Sequence, residues 1–135
     1  MTLNFHRDAA GINWDILIND LIADGFHNGR TVAQLRQSFE NSQVQAYAIV
    51  GNRCIGTARA LSDGVGNAYV IDVWTQSTYR RQGIGRTLME MLLEQLTGQH
   101  IYLQTDDAKD FYRSLGFLEQ PHGMSLIVGE YLRER

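Results

Sequence analysis

The sequence has 135 residues, 44% of them hydrophobic, and a formal charge of −3. This size predicts a single domain over residues 1–135. The small charge gives little attraction to nucleic acid or to an anionic membrane, so we expect neither as a partner. The longest apolar runs, such as Ala46 to Val50, are far shorter than the ~20 residues that span a bilayer.

Cysteine and histidine content limits the compartment and the chemistry further. Cys54 is the only cysteine, which fits a reducing compartment, and the start shows no charged and then apolar signal segment. We therefore expect a cytoplasmic protein. His6, His100 and His122 show no metal-ligand spacing, and a single cysteine excludes a cysteine-based zinc site, so we predict no metal site.

The first 40 residues predict one short strand and two helices. Leu3 to His6 favours a strand, and an apolar residue on every third or fourth position predicts a helix from about 12 to 23. Thr31 and Gln34 have the spacing of a capping box, which predicts a second helix beginning at Thr31. The residues between, Asp24 to Arg30, form a loop.

Three β-rich runs follow. Ala46 to Val50 and Cys54 to Leu61 are joined by Gly51 and Asn52, residues that tolerate a tight hairpin turn. Ala68 to Thr75 follows a second glycine-bearing turn. We predict three consecutive antiparallel strands.

The chain then predicts a loop, a long helix and a crossover. Tyr79 to Gly85 carries two glycines, and the helix that begins in it ends at Gly98. His100 to Thr105 is the next predicted strand, which should lie parallel to the strand over Ala68 to Thr75 because a helix connects them.

The last 30 residues predict a short helix and a final strand. Asp106 is the expected N-cap of the helix, Gly116 closes it, and Ser125 to Tyr131 is the expected strand.

The glycine loop is the clearest candidate for a binding site. A loop between a strand and a helix presents backbone N–H groups at the positive end of the helix, where phosphate groups bind. Gly83 and Gly85 allow close approach, and Arg80, Arg81 and Arg86 add positive charge. The alternative is a simple turn with solvated arginines. Neither the dinucleotide fingerprint nor the P-loop motif is present.

These residues resemble a known family. Arg80 to Gly85 fits the Arg/Gln-x-x-Gly-x-Gly/Ala signature of the GNAT acetyltransferases. Ala108 to Phe117 is similar to a second family hallmark, a helix with Phe-Tyr followed by Gly-Phe. The stretch from Gly56 to Phe117 further resembles the bacterial and plastid branch that includes plant serotonin N-acetyltransferases. We therefore expect an α/β fold with a mixed, largely antiparallel sheet of six or seven strands and about four helices.

The resemblance implies acetyl-CoA as co-substrate. The strand before the loop would pair with the pantetheine arm, the loop would bind the pyrophosphate, and the short helix would add contacts. The residues so implied are Val73, Trp74, Thr75, Arg80, Arg81, Gln82, Gly83, Ile84, Gly85, Arg86, Thr87, Asp107 and Phe111.

Direct acyl transfer needs an acid for the leaving thiolate and a route for the proton of the amine. Tyr112 matches the general acid by resemblance, and otherwise is a core aromatic residue. Asp72 alternates with Val70 and Trp74 on one face of its strand, so it is either the base or a structural salt-bridge partner of Arg59.

The acceptor side is expected in the loop between the first two helices, where Asp24, Phe26 and His27 are the candidates. We expect a small-molecule primary amine as acceptor. A protein or peptide amine, or a non-catalytic acyl-CoA-binding role, is the alternative. Family members often pair as dimers, so a homodimer through Met124 to Tyr131 is also expected from the resemblance.

Overall fold

The computed structural model describes residues 2–133, which form two compact units, residues 2–103 and residues 104–133. The first unit contains a five-stranded sheet of order β1-β2-β3-β4-β5. Its strands are β1 (Leu3–His6), β2 (Val44–Val50), β3 (Arg53–Ser62), β4 (Asn67–Thr75) and β5 (His100–Tyr102).

Four α-helices are described, three in the first unit and one in the second. They are α1 (Trp14–Ala23), α2 (Val32–Glu40), α3 (Ile84–Glu94) and α4 (Lys109–Ser114), and a 3-10 turn covers Ser77–Tyr79. None of the helices in residues 2–133 is long and apolar enough to cross a membrane.

The sequence predicted N-terminal caps for α2 and α4. The capping box of α2 is confirmed, because the Thr31 hydroxyl accepts from the Gln34 amide and the Gln34 side chain accepts from the Thr31 amide. The predicted N-cap of α4 is wrong. Ala108, not Asp106, precedes the helix, and its amide donates to the Thr105 hydroxyl.

Strand pairing confirms the predicted topology. The pairs β1–β2, β2–β3 and β3–β4 are antiparallel, and β4 and β5 are parallel. The crossover through α3 explains the parallel pair, since two parallel strands cannot be joined by a tight turn.

The predicted number of six to seven strands is wrong, because the sheet has five. The strand predicted over Ser125 to Tyr131 is absent, since residues 125–131 contain no strand, and β5 is shorter than predicted because it ends at Tyr102 rather than Thr105. Gly129 has a φ of 69°, which interrupts an extended conformation. An apolar alternation predicts which face a strand would bury, but a strand also needs a partner.

Helices cover both faces of the sheet. Tyr47 and Ala48 are consecutive in β2 and so point to opposite faces. Tyr47 belongs to the hydrophobic cluster built by α1 and α2, which also contains Trp74 of β4. Ala48 lies on the other face, beside Gly56 and α3.

Gly56 marks the closest approach of α3 to the sheet. A Cβ atom there would lie 3.0 Å from Leu88 Cδ1, 3.2 Å from Ala48 Cβ and 3.2 Å from Ile84 Cγ2. We expect Gly56→Ala to lower the free energy of unfolding by about 1 to 3 kcal/mol through overpacking, measured by urea denaturation. Gly66→Ala is the control, since a Cβ there meets nothing within 4 Å. Equal stability of the two variants would contradict the close packing.

Candidate active site

β4 and the edge strand β5 separate part of the way along β4. Their parallel pairing covers three positions and ends at Tyr69 opposite Tyr102, whereas β4 continues to Thr75. On its other edge β4 stays paired with β3 as far as Thr75. Within residues 2–103, the end of β4 therefore has one edge without a parallel neighbour, which is where an extended ligand can add as a strand. Val73, Trp74 and Thr75, expected to contact pantetheine, lie on this stretch.

A β-bulge interrupts the pairing of β4 with β3, in the part of β4 that no longer pairs with β5. Thr57 pairs with Trp74 and Arg59 with Ile71, so one residue of β3 faces two residues of β4. Asp72 is the first of these two and has a φ of 56°, in the left-handed region. The Thr57 hydroxyl donates to the Asp72 carbonyl at 2.8 Å. Such a bulge re-aims the residues that follow it.

The Asp72 carboxylate is held by two arginines. Arg30 donates to both of its oxygens at 2.9 Å, and Arg59 Nε donates to Oδ2 at 2.6 Å. The exposed fractions of the three side chains are 4% for Asp72, 5% for Arg30 and 10% for Arg59. The salt bridge to Arg59, one of the two sequence interpretations of Asp72, is thus present. Both carboxylate oxygens are engaged by guanidinium groups, which favours the salt-bridge interpretation over a base role.

Further contacts fix the two guanidinium groups. Arg30 Nε donates to the His27 carbonyl at 3.0 Å, and Arg59 Nη1 donates to the Ser42 hydroxyl at 3.2 Å. The Arg59 guanidinium also lies 5.5 Å from the centre of the Phe39 ring. Sequence reasoning missed Arg30. Its only local feature is its position before the N-cap of α2, which does not indicate a partner 42 residues away.

Asp24 lies at the start of the loop between α1 and α2, as the sequence predicted, but its carboxylate is engaged. Its Oδ2 accepts from the Trp74 indole N–H at 3.0 Å and from the Ser77 amide at 3.1 Å, and Arg80 Nη2 lies 3.7 Å away. Partial burial raises the pKa of Asp24, but the hydrogen bonds from Trp74 and Ser77 and the charge of Arg80 outweigh it and lower the pKa below its usual value.

The other two acceptor-side candidates are Phe26 and His27. Phe26 is half-buried against the hydrophobic cluster of α1 and α2. His27 Nδ1 is buried and has no hydrogen-bond partner among residues 2–133, and the same holds for Oε1 of Gln76, just after β4. Buried polar atoms normally have partners, so both atoms are open to a ligand or to water.

The glycine loop has the backbone features that anion binding requires. Arg81 and Gly83 have φ values of 65° and 78°. Gly83 is the N-cap of α3 and supplies no side-chain cap, and the first turn of α3 contains no acidic residue. Arg81, Gln82 and Gly83 are exposed. The start of α3 therefore suits an anionic group such as a pyrophosphate.

Two residues predicted as cofactor contacts are turned toward the protein. Ile84 is 3% exposed and packs beside Gly56 in the core, so only its backbone can face a ligand. Arg80 Nε donates to the Thr75 carbonyl at 3.1 Å, which turns this guanidinium toward the end of β4.

Tyr112 lies in the second unit, on α4. Its ring contacts Phe111 and Phe117 edge-on, with centroid distances of 5.0 and 5.8 Å. Burial, and secondly the charge of Asp107, raise the pKa of Tyr112 to about 12. The phenol is therefore protonated at any physiological pH.

Known proteins resemble this chain over most of its length. The profile of the acetyltransferase (GNAT) family matches residues 14–117. GCN5-related N-acetyltransferase 1, chloroplastic, from Arabidopsis thaliana is 30% identical over 90% of this chain and 64% of its own length. Serotonin N-acetyltransferase 2, chloroplastic, from Oryza sativa subsp. japonica is 32% identical over 85% of this chain and 61% of its own. The chain thus spans less than two thirds of each relative.

A solved structure agrees with the fold. The GNAT family acetyltransferase from Streptococcus pneumoniae TIGR4 superposes with a TM-score of 0.74 at 26% identity, covering 96% of this chain and all of the other.

The expected cytoplasmic location is wrong in the light of these relatives, since the Arabidopsis and rice proteins are both named as chloroplastic. A single cysteine indicates a reducing compartment, but does not distinguish one such compartment from another.

The family profile covers more than half of the chain. The chain belongs to the GNAT family of acetyltransferases, enzymes that transfer an acyl group from acetyl-CoA.

Proposed function

We propose that this chain transfers the acetyl group of acetyl-CoA directly to a primary amine of a small molecule. The observation that carries the proposal is the separation of β4 from β5 directly before the glycine loop. This arrangement offers an extended edge for the pantetheine arm and, next to it, a helix start for the pyrophosphate.

The reaction joins the amine nitrogen to the carbonyl carbon and breaks the bond from that carbon to sulfur. Backbone N–H groups of Val73 to Thr75 polarise the carbonyl, because the bulge at Asp72 re-aims this part of β4. Tyr112 gives its phenolic proton to the departing sulfur, the amine releases one proton to solvent, and solvent returns one proton to the tyrosinate. In this proposal Asp72 stabilises the bulge and does not accept the proton of the amine, because two arginines bind its carboxylate.

The acceptor binds beside the loop of residues 24–30. The unpaired Nδ1 of His27 and the half-buried ring of Phe26 support this placement. The rice relative is named for serotonin, an arylalkylamine, so we place arylalkylamines first among the acceptors. The exposed apolar side chains of Met124, Leu126 and Val128 support a homodimer through this segment.

Release of free CoA from acetyl-CoA tests the proposal. The acceptors are arylalkylamines, polyamines, amino acids and lysine-containing peptides. We expect turnover with one class of small amine and formation of its N-acetyl product by mass spectrometry. Turnover with peptides alone would indicate that the acceptor is a protein and not a small molecule. Binding of acetyl-CoA without turnover on any acceptor would favour a non-catalytic role.

The glycine loop gives a separate prediction. We expect Arg81→Asn to raise KM for acetyl-CoA by about ten-fold or more with little change in kcat, since a charge-assisted hydrogen bond to phosphate is worth about 1.5 to 3 kcal/mol. Asparagine tolerates the left-handed backbone at this position, so the loop keeps its conformation. Arg7→Asn is the control, because Arg7 is an exposed arginine paired with Glu94. Equal KM values for the two variants would remove Arg81 from the pyrophosphate site.

A further inference from the structure

The loop between α1 and α2 is tied to β4 and its continuation at both ends. We call residues 24–30 the acceptor-side loop. At its start Asp24 binds the Trp74 indole and the Ser77 amide, and at its end Arg30 binds the Asp72 carboxylate. The loop is therefore fixed against the strand that precedes the glycine loop.

One oxygen of Asp24 makes the first of these connections. Oδ2 accepts both hydrogen bonds, from Trp74 Nε1 and from Ser77 N, and the side chain is 10% exposed. Trp74 is the penultimate residue of β4 and Ser77 begins the 3-10 turn that leads to the glycine loop. A single partly buried acceptor thus joins three segments: the acceptor-side loop, the end of β4 and the start of the 3-10 turn that leads to the glycine loop.

The geometry points to Asp24 as a positioning residue that sets the distance between the bound amine and the acetyl group, and not as the counter-ion of the amine. The inference rests on the proposed function. An ammonium group that paired with Oδ2 would have to share it with the two donors already in place. A shift of about 1 Å between reacting groups can lower a rate about 100-fold, so a residue that holds this distance affects the rate strongly.

Two substitutions separate the roles. Asp24→Asn keeps one carbonyl oxygen, which can accept both hydrogen bonds, and replaces the other oxygen by an NH2 group, so that the charge and the ion pair with Arg80 are lost. Asp24→Ala removes the oxygen and leaves the Trp74 and Ser77 donors without it. For a positioning residue we expect Asp24→Asn to keep kcat and both KM values within about three-fold of the wild type, and Asp24→Ala to lower kcat by about ten-fold or more at saturating substrates.

Further measurements separate positioning from mere stability. Rates are taken at a temperature well below the unfolding midpoint of each variant, and Asp15→Asn, an exposed carboxylate at the other end of α1, is the control. Trp74→Phe removes the indole donor and keeps an aromatic ring. Because both changes break the same contact, we expect Asp24→Ala combined with Trp74→Phe to lose less in kcat than the product of the two single losses.

Three results would overturn the inference. In the first, both Asp24 variants raise KM for the amine equally, which would make the charge the binding group. In the second, Asp24→Ala lowers the unfolding midpoint and leaves kcat unchanged. In the third, the two losses multiply fully in the double variant.

If the wild type acetylates no amine, the proposed function fails. Tryptophan fluorescence then tests the contact between Asp24 and Trp74 independently of activity. In a Trp14→Phe background the emission reports only Trp74. We expect that emission to shift in Asp24→Ala and not in Asp24→Asn; no shift in either variant would overturn the inference.

Discussion

Replacing Tyr112 by phenylalanine is expected to lower kcat by about 10²- to 10⁴-fold, with KM for acetyl-CoA nearly unchanged, because positioned proton transfer contributes a factor of this size. The substitution keeps the ring that packs against Phe111 and Phe117, so α4 should fold normally. A thiol has an ordinary pKa of about 8.5, so full transfer from a phenol of pKa about 12 would be uphill by roughly 5 kcal/mol. Net transfer therefore requires that the tyrosinate regains a proton, which balances the proton released by the amine.

The raised pKa of Tyr112 also sets the pH dependence. A phenol donates only below its pKa, and raising that pKa to about 12 extends the protonated range upward. We expect Tyr112 to cause no fall in kcat between about pH 8 and about pH 10, a range in which a tyrosine of ordinary pKa would begin to lose its proton.

Steady-state rates of wild type, Tyr112→Phe and Tyr102→Phe test both expectations. Tyr102 is the control because it is an exposed tyrosine whose hydroxyl contacts only His100 among the described residues. A kcat of Tyr112→Phe within about three-fold of the wild type would leave Tyr112 as a packing residue only.

Replacing Asp72 by alanine is expected to lower the free energy of unfolding by about 3 to 5 kcal/mol, because it removes the only carboxylate that Arg30 and Arg59 bind in residues 2–133. Both guanidinium groups are at least 90% buried, so water cannot replace the lost partner without opening the structure. Asp72→Asn keeps the shape and a hydrogen-bond acceptor, so its loss should be smaller.

Equilibrium unfolding in urea measures these losses. Glu40→Ala is the control, since it removes an exposed ion pair with Arg36, and such pairs are worth at most about 1 kcal/mol. A loss below about 1 kcal/mol for Asp72→Ala would mean that the two arginines find solvent or other partners.

Local patterns predicted the elements and their pairing well. The turn residues predicted the hairpin at Gly51, and residue spacing predicted the capping box at Thr31. The helical crossover required β4 and β5 to be parallel. All three depend on residues close together in the sequence or on general chain geometry.

Other features depend on contacts between distant segments and were not predictable in this way. The left-handed backbone of Asp72 makes sense only with Thr57 and two arginines around it, one of them 42 residues away. The engagement of Asp24 by Trp74 spans 50 residues. Strand alternation singled out Asp72, and loop position made Asp24 an acceptor-side candidate, but the roles of both depend on the partners that the fold brings to them.

The ion pair between Arg30 and Asp72 constrains how this protein can be re-engineered. A chimera that imports an α1–α2 connection without an arginine at the position of Arg30, to change the acceptor that is acetylated, would leave the strand carboxylate with one guanidinium instead of two. Exchanges confined to residues 25–29 keep both anchoring side chains, Asp24 and Arg30, in the recipient. Libraries for altered acceptor choice are therefore best diversified within those five positions.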